Sequence, residues 1–216
     1  MHMIGKEITM NRKIGMIGSL VNAFTVLMFA LFLLAGWSFG YFFVCIFLAL
    51  SFVCMVSALD SEGTDQTKAA GRTALVFAGM YATLILIVYF TQCTTVLNEK
   101  LGEEASRILN YSYMGFMFNL DLLGYGLMAL STFFIGLTVN VKNKKDKLLK
   151  ILLLVHGLFF PGCLIMPMTG IFMGNHGSGS NGGVIALEIW CLYFLPIGIT
   201  AFLHFKEQGS GQTKAV

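Results

Sequence analysis

Six long apolar runs, separated by short polar connections, dominate the pattern of this chain. The runs cover residues 14–36, 39–59, 73–97, 113–140, 149–173 and 183–205. Each is close to the roughly 20 residues that an α-helix needs to cross a hydrocarbon core about 30 Å thick. The pattern therefore predicts an all-α fold, a polytopic transmembrane bundle of six helices that forms a single domain over residues 1–207, followed by a disordered tail at 208–216.

The Lys and Arg residues of the connections predict the orientation of the bundle. Twelve of them lie on the side that carries both termini, whereas only Lys100 and Arg107 lie on the other side. Because basic residues accumulate on the cytoplasmic side of membrane proteins, we expect both termini to be cytoplasmic and the protein to lie in the cell membrane. The first run is too long for a cleavable signal, so we interpret it as an uncleaved first span.

The connection between spans three and four, "LNEKLGEEASRILNYS", carries a helical pattern. Its apolar residues recur at helical spacing, and its charged residues lie mostly on the remaining faces. The pattern predicts an amphipathic helix on the outer surface of the membrane. The alternative interpretation is a solvated extension of spans three and four. Further along, "MGNHGSGSNGG" predicts a flexible outer loop, and Pro161, Pro167 and Pro196 are expected to kink spans five and six.

Composition narrows the function classes. The chain is 56% hydrophobic and only 12% charged, with a mean hydropathy of +0.78, which is typical of an integral membrane protein. Its basic residues are spread over several connections, so we predict no nucleic-acid partner. The five cysteines show no CxxC spacing, and no pattern of ligands indicates a metal. We therefore predict neither a metal nor a cofactor.

A carboxylate interrupts the fourth run, because Asp121 lies within "FNLDLLGYGLMALSTFFIGL", residues 118–137. At about 1.5 Å per helical residue, Asp121 lies about 27 Å from the inner end of its span. The same count places Gln92 at about 27 Å in span three and Glu188 at about 24 Å in span six. The three polar groups are therefore predicted to lie at one level, in the outer half of the membrane.

These groups predict an outward-facing acidic pocket. A charged side chain at depth costs at least about 2.5 kcal/mol and usually faces the bundle interior with a partner. We interpret the pocket as a substrate-binding site in which a carboxyl exchanges a proton with a bound cation or solute. Its predicted residues are Asp121, Glu188, Gln92, Tyr125, Asn119 and Thr91. Two alternatives stay open, in which the carboxylates are solvated at the water interface or form a buried hydrogen bond without a ligand.

Two histidines lie within the apolar runs. His156 falls in the inner half of span five, where it predicts either a proton relay or a hydrogen bond between helices. His204 falls at the inner boundary beside Lys206 and is expected to be interfacial. Because the two histidines lie at different depths, they do not indicate a haem. The sequence "EEASR" lacks the spacing and the partner helices of an intramembrane protease, so no catalytic residue is predicted.

A family resemblance rests on three segments and on His156. The segments are "VYFTQCTTV" (88–96), "DLLGYGLMALSTFFIGL" (121–137) and "ALEIWCLYFLPIG" (186–198). Together they resemble a family of bacterial six-span membrane proteins that has no assigned activity. The resemblance implies the six-span architecture over nearly the whole chain, and it implies no mechanism.

The leading functional prediction is a small transporter or channel-like protein for a small solute or a cation. An alternative is a ligand-binding or accessory subunit that assembles with a membrane-protein partner or with copies of itself and transports nothing. A third is a lipid isomerase-like enzyme that uses the carboxyls as acid and base on a lipid ligand. The lipid bilayer is the partner common to all three.

Overall fold

The computed structural model describes residues 9–170 and 181–207, in which eight α-helices occur and no strand. The helices are α1 (Met10–Leu34), α2 (Ser38–Asp60), α3 (Lys68–Thr91), α4 (Glu103–Leu109), α5 (Phe116–Thr138), α6 (Lys144–His156), α7 (Phe159–Met168) and α8 (Asn181–Glu207). A π-helical turn, Gln92–Val96, extends α3. Six stretches are long and apolar enough to cross a membrane, with α6 and α7 together forming the fifth. The all-α prediction with six such helices is confirmed, and it suggests a multi-pass membrane protein.

The spans are arranged as a closed ring. Helix α1 packs on α2 and α8, α2 on α3, α3 on α5, α5 on α6 and α7, and α6 on α8. The core lies where large buried rings meet between α2, α3 and α8. Phe52 meets Tyr81 edge-on with ring centroids 5.3 Å apart, and its centroid lies 6.3 Å from that of Phe194. We call the end at which α1 begins and α8 ends the terminus end, and the opposite end, which carries α4, the loop end.

Glycines allow α1 to lie close to both of its neighbours. A Cβ added at Gly18 would lie 2.9 Å from the Cys54 Cβ of α2, and one added at Gly198 of α8 would lie 3.0 Å from the Ala23 Cβ. Small residues at such crossings permit the backbone approach on which helix association in a membrane depends. The ring is therefore closed tightly on both sides of α1.

The fifth span is broken rather than merely kinked. Helix α6 ends at His156 and α7 begins at Phe159. Pro161 has no N–H to donate to the carbonyl of Gly157, and that carbonyl accepts instead from the Phe160 N–H at 3.1 Å. The proline thus explains the position of the break, which precedes it by one turn. Pro167 and Pro196 lie inside α7 and α8.

The connection between α3 and α5 is only partly helical. Helix α4 has seven residues, and a 3₁₀ turn at Tyr111–Tyr113 follows it. The placement of α4 on a membrane surface stays a prediction, as does the cytoplasmic position of the termini. The predicted flexible loop falls largely on residues 171–180, and the predicted disordered tail on 208–216; both lie outside the described residues.

Candidate functional site

Gln92 anchors the loop-end connection to α3. The residue is buried, and its Nε2 donates to the Leu109 carbonyl at 2.8 Å while its Oε1 accepts from the Tyr111 N–H at 3.0 Å. The side chain stands at the start of the π-helical turn, where the regular helical hydrogen bonds change. Both amide atoms are thus engaged by the backbone of the connection, and they fix the position of Tyr111.

Tyr111 reaches from the connection to the carboxylate of α5. Its hydroxyl donates to Asp121 Oδ2 at 3.1 Å, and its ring packs against the rings of Phe42, Tyr89 and Phe118. Burial among these rings, followed by the nearby carboxylate, raises the pKa of Tyr111 well above its usual value. The phenol therefore stays protonated and remains a donor, so Gln92, Tyr111 and Asp121 form one connected group.

Asp121 is buried and only half satisfied. The residue is 3% exposed, and its Oδ1 has no hydrogen-bond partner among the described residues. The hydroxyl of the fully buried Tyr81 likewise has none. Among residues 9–170 and 181–207, no Lys, Arg or His forms an ion pair with Asp121. A buried polar group without a partner costs roughly 1–3 kcal/mol, so such a group calls for an explanation.

The other predicted residues of the same level are distributed differently. Tyr125, one turn inward on α5, packs edge-on against Tyr81 and Trp190, and its hydroxyl lies 3.9 Å from the Cys45 Sγ. Thr91 donates to the carbonyl of Ile87 in its own helix at 2.7 Å. Asn119 is exposed. Of these three residues, Tyr125 packs on aromatic side chains inside the bundle.

Glu188 is not hydrogen-bonded to Asp121 in the described part of the chain. Its Oε1 is buried and has no partner, although the residue as a whole is only half-buried. The α8 residue that meets Tyr125 is Trp190, and side chains two positions apart on a helix point about 200° apart. Glu188 therefore lies on another face of α8. The shared pocket of two carboxylates stays a prediction.

His156 lies in the centre of the bundle with two neutral partners. The Trp190 Nε1–H donates to His156 Nε2 at 3.1 Å, and His156 Nδ1 lies 2.8 Å from the Thr132 hydroxyl. Because that hydroxyl already donates to the Ala129 carbonyl, it accepts from Nδ1–H. The contacts thus assign a neutral imidazole with its proton on Nδ1. They supply the hydrogen bond between helices, while the proton-relay role stays a prediction.

A second polar cluster lies at the terminus end, and sequence reasoning missed it. We call it the terminus triad: Glu62, Asp146 and His204. His204 Nδ1 lies 2.7 Å from Asp146 Oδ1, and His204 Nε2 lies 2.8 Å from Glu62 Oε2. The histidine expected at the interface does lie at the end of the bundle, but it is buried.

The signal for this cluster in the sequence is weak. Asp146 is the single acidic residue within "KNKKDKLLK", at the start of α6. The Asn143 side chain accepts from the Lys145 and Asp146 N–H groups, and Asp146 Oδ2 accepts from the Lys142 N–H at 3.0 Å. An Asn followed three residues later by Asp is typical of a helix start. Nothing in the pattern indicates Glu62 or His204 as a partner.

Comparison with known proteins adds no assignment. No protein-family model, curated protein or solved structure matches this chain. Over the residues that the structure describes, no group of His, Cys, Asp and Glu side chains has the arrangement of a metal site. The family resemblance of the sequence stays a prediction, and any functional argument rests on the geometry of the polar groups.

Proposed function

We propose that the protein binds a small cation or a protonated polar solute at Asp121 and transports it across the membrane in exchange for protons. The observation that carries this proposal is the Asp121 Oδ1 atom, which is buried and has no partner in the part of the chain that the structure describes. Buried carboxylates in membrane proteins are expensive and mark ion and substrate pathways. A cation or a proton on Oδ1 removes the cost of the uncompensated group, so the two compete for one atom.

The surroundings of Asp121 favour a small ligand. Tyr111 covers the Asp121 carboxylate on the side of the loop end, and Gln92 holds Tyr111 in place. The Tyr81 hydroxyl, whose ring packs on Tyr125, is a further buried polar atom without a partner among the described residues. A carboxylate oxygen and tyrosine hydroxyls suit a monovalent cation or a protonated amine, because these ligands need oxygen acceptors in a confined space.

Transport requires movement from this conformation. Inward of Asp121, Tyr125 packs on Trp190, whose indole N–H is bound to His156. These rings occupy the centre of the bundle, so a solute cannot pass while they stay in place. We interpret the conformation as an occluded one, in which the connection closes one side of the site and the aromatic rings close the other.

The two other functions receive less support. Gly124 and Gly126, which an accessory subunit would present to a partner, face the Ile85 side chain of α3 and the Cys163 side chain of α7 inside the bundle. A lipid isomerase needs carboxyls and a histidine that converge on one substrate position. Within the described ranges, His156 bonds to Trp190 and Thr132 and to neither carboxylate.

The test is proton flux in liposomes that contain the purified protein and a pH-sensitive dye. Gradients of sodium, potassium and small protonated amines are applied in turn. We expect at least one gradient to drive proton movement through the wild-type protein. Asp121→Asn should lower that flux at least tenfold, because the amide cannot exchange a proton at neutral pH. Flux no greater than that of empty liposomes across the whole panel would overturn the proposal.

The matched control is Asp65→Asn, the same chemical change at an exposed position in the connection between α2 and α3. It should leave the flux unchanged. If Asp65→Asn and Asp121→Asn lower the flux equally, the loss does not come from the buried carboxylate. Full flux in Asp121→Asn would exclude Asp121 as the exchanging group.

A further inference from the structure

In the terminus triad, two carboxylate oxygens face a histidine that has only one N–H donor when it is neutral. Each ring nitrogen of His204 faces a carboxylate oxygen, Asp146 Oδ1 at 2.7 Å and Glu62 Oε2 at 2.8 Å. An ionised carboxylate only accepts hydrogen bonds, and a neutral imidazole has one N–H. With a neutral ring, one of the two contacts would bring a bare nitrogen lone pair against a carboxylate lone pair. With both carboxylates ionised, two good contacts require a proton on each nitrogen.

His156 of the same molecule shows contacts that fit a neutral histidine. One of its nitrogens accepts a hydrogen bond from the Trp190 N–H and the other faces a hydroxyl that can accept, so a single N–H satisfies the ring. His204 has an acceptor on both sides instead. The two histidines thus differ by one proton in the form that fits their contacts.

The charges around the triad come from five helices and from the connection before α6, where Lys142 lines the same cleft as Glu62 and His204. On α8 itself lie Lys206 and Glu207, and Glu207 pairs with Lys145 of α6. From α1, the Arg12 guanidinium donates to the carbonyls of Phe205 and Lys206 at 2.5 and 2.6 Å. Near the end of α2, Asp60 pairs with Arg72 of α3 at 3.1 Å. Arg12, Lys145 and Arg72 are engaged by these partners, and the two carboxylates of the triad face His204.

Water and protons can reach the triad from the terminus end. A cleft of about 130 Å³ opens beside it, and its lining includes Glu62, Lys142 and His204. The Glu62 side chain is 28% exposed, whereas the side chains of Asp146 and His204 are each 4% exposed. A proton can therefore enter through Glu62 and be held on a buried ring.

We propose that Glu62, His204 and Asp146 form a proton-binding site that is occupied in this conformation, with an imidazolium held between two carboxylates. The bound proton ties α8 to the start of α6 and to the residues that follow α2. Its release would remove one of the two bonds of His204 and loosen the terminus end. This inference is independent of the transport proposal, because it concerns other residues at the opposite end of the bundle.

The direct test is NMR of the full chain in lipid nanodiscs, with ¹⁵N-labelled histidine side chains. At about pH 7, we expect protons on both nitrogens of His204 and on one nitrogen of His156, although a free histidine is mostly neutral there. Signals are assigned with His204→Gln. If that variant does not fold, His2→Gln, His176→Gln and His156→Gln assign the remaining signal by elimination. One protonated nitrogen on His204 at this pH would overturn the proposal.

A second readout is the pH dependence of stability. A proton that only the folded state holds stabilises the fold at low pH and is lost as pH rises, so stability falls with pH. Above about pH 7, we expect the unfolding equilibrium constant of the wild type to rise by up to about tenfold per pH unit until the site has emptied. Glu62→Gln should flatten this slope, since it removes one of the two charges that hold the proton.

The matched control for that slope is Glu103→Gln, the same change at an exposed residue of α4. It should keep the slope of the wild type. If the stability of the wild type is flat between about pH 7 and pH 9, the folded state binds no extra proton in this range and the proposal fails. If Glu62→Gln and Glu103→Gln change the slope alike, the proton lies elsewhere.

Discussion

The buried carboxylates at the two ends of the bundle differ in how completely they are hydrogen-bonded. At the loop end, Asp121 accepts one hydrogen bond from the neutral phenol of Tyr111, and its second oxygen has no partner within the described ranges. At the terminus end, Asp146 accepts from the Lys142 N–H with one oxygen and faces His204 with the other. A carboxylate with both oxygens hydrogen-bonded stabilises the fold. A buried carboxylate with one unbonded oxygen lowers the stability, and a ligand that binds this oxygen can remove that free-energy cost. We therefore expect the terminus end to contribute more to stability, and the loop end to carry the proposed ligand site.

Removal of the Asp146 carboxylate should have the largest effect on stability. Asp146→Ala leaves His204 with one acceptor and leaves the Lys142 N–H without its partner. Breaking a buried charge pair from one side typically costs about 3–5 kcal/mol. We expect a loss in this range in the unfolding free energy, measured by denaturant titration in detergent. Asp65→Ala is the exposed control, and equal losses in both variants would show that Asp146 contributes no special stability.

Loss of the Gln92 amide should have an intermediate effect. Gln92→Leu fills a similar volume but cannot bond to Leu109 and Tyr111. Two lost hydrogen bonds at about 1 kcal/mol each predict a loss of about 2 kcal/mol. The connection should also exchange its amide protons faster, which hydrogen exchange measures directly. Gln66→Leu, the same change at an exposed site, should alter neither quantity.

The Asp121 carboxylate should contribute least to stability, and its removal should even help. Asp121→Asn keeps the shape and can still accept from Tyr111, but it removes a buried charge that has no charged partner. We expect an unfolding free energy equal to that of the wild type or higher by up to about 1 kcal/mol. The same variant should lose transport. A loss of more than about 2 kcal/mol would contradict the comparison, because it would make Asp121 a residue that holds the fold.

Hydropathy predicts the spans well because the membrane imposes the length and the apolar character of every crossing helix. The break at Gly157 and Leu158 is not visible in hydropathy, since both half-helices stay apolar; only Pro161 points to it. The predicted depths of Asp121 and Gln92 come from counting residues along their own spans. The common level of these residues and Glu188 stays a prediction, because counting gives a depth but not the direction in which a side chain faces.

The residues that the sequence analysis missed share a physical reason. Tyr111 belongs to a connection whose course depends on Gln92, nineteen residues away. Glu62 and His204 are 142 residues apart, and Asp146 and His204 are 58 apart. Such contacts depend on which helices become neighbours in the ring, and neither helical periodicity nor hydropathy carries that information.

The closure of the ring between α1 and α8 has a consequence for biogenesis. Ala23 lies against Gly198, and Arg12 bonds to the carbonyls of Phe205 and Lys206, so the first span is completed by the last described one. During synthesis, α1 enters the membrane long before α8 has left the ribosome. One flank of α1 therefore faces lipid or an insertion factor until translation reaches α8. The seam between α1 and α8 can close only after α8 has been made, and the terminus triad, which needs His204 of α8, can form no earlier.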